Sequence, residues 1–254
     1  MLKRGWFLLL ALPVVLLAIP AAAAERVNSL PAVEPTMSGR FELALVLNDQ
    51  PFIVGKGELA SATRAHFVLQ SVPLAGEPVE TIEVVVIDDT IYTREGDDTQ
   101  WYVSTQTNIP VAQPGADPEV DIAAAPISMI GTKDIAGTPT DQYQIWIAEK
   151  GAKGSDHIAL DFFIGRAVKY LHQYQVSIFE TDEQLGQLKL ETVVRSYDFN
   201  DPSIVVNAPE NAIPAPVTAS GLVAPMRNGG VLSTLAAPLS TPQLRALAVR
   251  RLSH

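Results

Sequence analysis

From Met37 to Phe199 the large apolar residues tend to recur at every second position, and that period commits most of this stretch to β-strands. In Arg40-Phe41-Glu42-Leu43-Ala44-Leu45-Val46-Leu47 the side chains of Phe41, Leu43, Leu45 and Leu47 fall on one face of an extended chain. A helix would need them three and four apart. Asn48-Asp49-Gln50-Pro51 reads as a turn. Residues 52–60 form a second strand with Gly55 and Gly57 on one face, the mark of a bulge, a bend or a close approach. Residues 64–72 set Ala65, Phe67 and Leu69 against Arg64, His66 and Gln70, and the β-branched run 81–87 suits a well-buried strand. Asp88-Asp89 and Glu95-Gly96-Asp97-Asp98 turn the chain into 91–94 and 100–103, completing a meander of antiparallel hairpins.

The second half mixes periods. Asp117-Pro118 is a helix opening, and 120–130 reads as a helix that Pro126 kinks or ends. A strand follows at 143–147. Ser155-Asp156 then caps a second short helix over 157–165, with Ile158, Phe162 and Phe163 as its apolar residues. Residues 174–179 and 187–199 close the domain as a hairpin. Eight to ten antiparallel strands and about two short helices make a β-rich α+β chain.

The flanks differ from this domain. Lys3 and Arg4, an apolar run over 6–20 and Ala21 to Ala24 predict a secretory signal peptide in 1–24, cleaved near Ala24. Residues 25–36, with Pro31 and Pro35, read as a linker. Residues 210–254 read as a flexible Ala/Pro-rich tail whose end can form a short helix carrying Leu244, Leu247 and Leu252. These boundaries leave 37–209 as the folded domain of a secreted, extracytoplasmic protein. Losing Lys3 and Arg4 takes 18 basic residues to 16 against 28 acids, a net charge of −12. Such a balance excludes a general nucleic-acid binder, which needs a basic surface. There is no Cys, so neither a disulfide nor lipidation on a thiol is available.

Motifs for chemistry are missing. The four His residues have no metal-ligand spacing. Ser155-Asp156-His157 holds the residue types of a hydrolytic triad, but consecutive residues cannot form its relay. Asp88-Asp89 and Asp97-Asp98 lack the ligand pattern of a calcium loop. Gly151-Ala152-Lys153-Gly154 is too short for a phosphate loop. The chain reads as a non-enzyme with no catalytic residue, metal or cofactor. A greasy sheet face remains, and periodicity alone leaves open whether it packs as ordinary core or lines a cavity.

Three segments carry a family resemblance. Ile130-Gly131-Thr132-Lys133-Asp134-Ile135-Ala136-Gly137 with Thr140-Asp141-Gln142-Tyr143, the ending Ser196-Tyr197-Asp198-Phe199-Asn200-Asp201-Pro202 through Ala208-Pro209, and Ile91-Tyr92-Thr93-Arg94 with Trp101-Tyr102 resemble the LppX/LprG-type bacterial lipoproteins over about 37–209. The resemblance implies a LolA-like half-barrel, a strongly curved antiparallel sheet with a few short covering helices around an apolar cavity. It also implies a lipid or acylated glycolipid as ligand, bound and carried through the cell envelope with only transient membrane contact. The lining is then expected from Phe41, Leu43, Leu45, Phe67, Leu69, Val84, Val86, Ile145 and Ile147, with Phe162 and Phe163 from a covering helix. Three departures stand out: no Cys for lipidation, no longer helix before the first strand, and the added tail. The alternative is a non-enzymatic envelope module that binds a protein partner through the same curved sheet.

Overall fold

Thirteen strands, bonded edge to edge in a single sheet, organise this computed structural model, which describes residues 24–73, 78–105, 125–148, 157–182 and 186–215. Six form a first meander: β2 (Gly39–Leu47), β3 (Gln50–Ser61), β4 (Arg64–Ser71), β5 (Thr81–Ile87), β6 (Thr90–Glu95) and β7 (Tyr102–Thr105). Five form a second: β8 (Ile127–Ile135), β9 (Thr138–Ala148), β10 (His157–Gly165), β11 (Leu171–Asp182) and β12 (Gly186–Tyr197). The meanders join where β12 pairs antiparallel with β2, from Leu190 opposite Leu47 to Tyr197 opposite Arg40. Two short strands cover the ends: β1 (Glu25–Val27) pairs with β8, and β13 (Ile213–Pro214) runs parallel to β7. The sheet is curved and does not close, because β1 and β13 remain its two edges.

Turn chemistry sets the hairpins. Asn48 and Asp49 both take positive φ (47° and 65°) between β2 and β3, and Ala136-Gly137 does the same (50° and 84°) between β8 and β9. Paired left-handed residues give the turn whose twist matches antiparallel strands.

Curvature has a local cause at Gly57. Phe41 of β2 and Phe67 of β4 both lie opposite Gly57 of the intervening β3. In a flat sheet two strands stand roughly 9.5 Å apart, yet the two ring centroids are 6.1 Å apart. A Cβ on Gly57 would collide with the Phe67 side chain and lie 2.8 Å from Phe41 Cζ. The missing side chain lets the sheet bend toward its apolar face, which is the close approach expected of a strand glycine.

Two sequence expectations fail here. Residues 157–165 are strand β10, not a helix. Ile158, Leu160 and Phe162 alternate with Ala159, Asp161 and Phe163, and β9 and β11 supply backbone partners on both sides. Tertiary pairing overrides the helix-capping residues, and Ser155 and Asp156 themselves lie outside the described residues. Residues 127–130, placed in a helix over 120–130, open β8 instead. Residues 120–124 lie outside the described residues, as do 1–23 and 216–254 with the expected signal peptide and terminal helix. The described residues contain no helix: of the two expected, 157–165 is a strand and 120–130 is described only from residue 125 on.

Candidate functional site

Alternate side chains of a strand point to opposite faces, so the strand registers sort every position. One row crosses ten strands: Met129, Tyr143, Phe162, Tyr174, Val194, Leu43, Gly55, Leu69, Ile82 and Glu95, each opposite the next. A neighbouring row runs Ile127, Ile145, Leu160, Val176, Thr192, Leu45 and Ile53. Apolar side chains dominate both rows, and this face is the one toward which the sheet bends.

Ten of the eleven expected lining residues share this face, and Phe163 does not. Phe162 and Phe163 are neighbours in a strand rather than a helix, so they point oppositely. Phe163 lies across from Gln142 and Gln173 on the polar face, beneath the Lys133 ammonium at 5.2 Å from its ring centroid. Phe41, Leu43, Phe67, Leu69, Val84 and Val86 form one buried cluster with Ala65, Ile82, Ile91 and Val194, and Leu45 packs against it. Leu47, Phe52, Leu188 and Leu190 form a second. Ile145 and Ile147 are buried on β9. In these strands the expected lining residues therefore fill the interior themselves.

The accessible part of the apolar face lies elsewhere. On β10 and β11 the side chains of Ile158, Leu160, Phe162, Tyr174, Val176 and Ile178 are all only half-buried, while those on β9 and β12 to either side are buried. Six large apolar or aromatic side chains thus make a floor two strands wide. Phe162 apart, none of them was expected in the lining from sequence. The readable signal was the strict alternation of Ile158, Leu160 and Phe162, which the Ser155-Asp156 cap outweighed.

The floor is almost free of charge. Among the described strand positions on this face there is no Lys or Arg. Asp141, at its margin, is met by Arg166 (3.3 Å) and Lys169 (3.8 Å) from the loop after β10. One polar group stands within the floor: the Tyr174 hydroxyl is buried and without a hydrogen-bond partner. Burial pushes its pKa up to about 12.

The opposite face is polar and internally bonded. Asp161 accepts from the amides of Gln142 (2.8 Å) and Gln144 (3.0 Å), and Glu191 is met by Gln175, Ser177 and the Lys189 ammonium. His66, on this face, pairs with Glu83 at 2.7 Å, and Arg94 binds the other Glu83 oxygen. Burial raises the Glu83 pKa, but the bonds from Arg94 and His66 outweigh it and hold the carboxyl below its ordinary value. The His157 ring stacks between Trp146 and Phe179, with centroids 4.2 Å from each. A pocket of about 470 Å³ also opens here, lined by Ala44, Val54, Lys56, Val68 and Arg195 among others. Among the described residues no group of three His, Asp or Glu converges as metal ligands would.

No known family and no curated protein matches the chain. Solved structures do. The chain is similar to lipoprotein LppX of Mycobacterium tuberculosis, at 15% identity over 68% of this chain and 90% of that one, with a TM-score of 0.36. It is also similar to a LolA superfamily protein of Nitrosomonas europaea (6% identity, 68% and 90% covered, TM-score 0.27). A putative outer membrane lipoprotein-sorting protein domain of Vibrio parahaemolyticus is a further match (10% identity, 70% and 90% covered, TM-score 0.24).

Proposed function

We propose that the chain binds the acyl part of a lipid or acylated glycolipid on the apolar face of its sheet and carries it outside the cytoplasm, without chemistry. The observation that carries this reading is the floor on β10 and β11. Six large side chains stay half-accessible there, between the buried side chains of β9 and β12. Exposed apolar area of this kind is costly unless something covers it, and each CH₂ transferred onto it from water contributes about 0.8 kcal/mol. The leader-like residues 1–24 and the family resemblance over 37–209 agree with an exported carrier.

Native mass spectrometry of the protein purified from a lipid-containing host tests the reading. Bound species that organic solvent extracts are expected, together with uptake of a fluorescent acyl probe that Leu160→Glu abolishes. Protein that carries no lipid and takes up no probe would overturn it. A second reading, docking of a protein partner on the outer face, draws on the pocket beside Val54, Lys56 and Arg195. In that case Leu160→Glu would leave function untouched.

A further inference from the structure

We propose that the Tyr174 hydroxyl is the polar anchor of this site, donating a hydrogen bond to a neutral carbonyl oxygen of an ester-linked acyl chain. The inference rests on the lipid-binding reading above and deepens it by naming the group the ligand presents.

The hydroxyl is a donor sealed among apolar side chains with no acceptor. Buried tyrosine hydroxyls usually find a partner, and one left without is destabilising. Along the register Tyr174 stands between Phe162 and Val194, with Val176 next on its own face. Phe162 and Val176 are half-buried floor residues, while Tyr174 also packs against the buried Phe41–Val194 cluster, so Tyr174 stands where the floor meets the interior. Because the hydroxyl is buried, a ligand reaches it only by displacing the side chains that cover it.

The charge distribution selects the acceptor. An anionic head group drawn onto the floor would lose its hydration and meet no base, because the strands of this face hold no Lys or Arg among the described residues. Arg166 and Lys169 are already engaged by Asp141. His172, two residues before Tyr174, is held below its ordinary pKa by burial and stays neutral at pH 7. An unpaired buried carboxylate is far more costly than a neutral carbonyl. The phenol itself remains protonated across the physiological range, so it serves as a donor.

The test compares two fluorescent probes on the full chain and on Tyr174→Phe. Methyl parinarate carries an ester carbonyl, and diphenylhexatriene carries no acceptor. Tyr174→Phe is expected to weaken methyl parinarate about fivefold, the equivalent of one net hydrogen bond, and to leave diphenylhexatriene within about twofold. Without ligand the variant should melt no lower than the parent, since it loses only an unpaired donor. Equal ester affinity in both proteins would overturn the anchor and leave the carrier reading standing. Equal weakening of both probes, or a lower melting temperature, would mean that Tyr174 acts by packing, and would also overturn it. A parent protein that binds neither probe overturns the carrier reading and the anchor together.

Discussion

Glu83 shows how single residues fix the polar face. Its carboxylate is shared by His66 and Arg94 from the two flanking strands, so it joins β4, β5 and β6 through side chains as well as backbone. Glu83→Gln should cost about 1 kcal/mol at pH 7, measured by urea unfolding. The folded-state pKa lies below the ordinary value of 4.5. The contribution is therefore fully present above about pH 4.5 and is lost as pH falls through the folded pKa. Parent and variant should converge as the carboxyl becomes protonated in the folded protein, and a gap that shows no dependence on pH below 4.5 would show that the charge is not its source. The identity of the apolar face was legible at this scale, because alternation in 40–47, 64–72 and 81–87 sorts side chains whatever their partners. Phe163 was misplaced because a helix lets neighbours share a face and a strand does not. Tyr174 was not legible as a site residue, since a buried hydroxyl without a partner is a property of packing that no spacing records.

At the scale of elements, the first meander could be read almost strand by strand, and β10 could not. The difference is physical. The hairpins of 40–105 are set by local turn residues such as Asn48-Asp49, whereas β10 owes its form to β9 and β11. Capping residues state a local preference of about 1 kcal/mol, and a nine-residue strand bonded on both sides exceeds it easily. The bend over β3 depends on a single missing side chain. Gly57→Ala would set a methyl against Phe67, Phe41 and the His66 carbonyl oxygen. Backbone at that contact cannot swing aside, so the substitution should destabilise by about 2 kcal/mol or more. Thermal unfolding measures the loss. If Gly57→Ala melts like the parent, the close approach of Phe41 and Phe67 is not what shapes the sheet.

The whole molecule is two meanders sewn along one seam. Phe41, Leu43 and Val194 belong to one buried cluster, and Leu47 shares the other with Leu190, so both clusters straddle the β12–β2 pairing. Neither meander can keep its interior without the other. The two halves should therefore unfold together. Single-tryptophan variants that keep Trp101, beside β7, or Trp146, on β9, should report the same urea midpoint by fluorescence. Separate midpoints would show two independent units. No local signal announced the seam, because partner choice between strands so far apart leaves no trace in the period of either. The seam also orders events in time. Across it Asn48 accepts from the Lys189 amide, 141 residues later. A ribosome adding roughly 5–20 residues per second exposes β2 for about 10 s before β12 exists. Through that interval the newborn chain presents a bare strand edge beside Phe41, Leu43 and Leu45, an invitation to pair with a stranger. For the export proposed above, the safest course is to cross unfolded, escorted, and to close only after the last long strand has arrived.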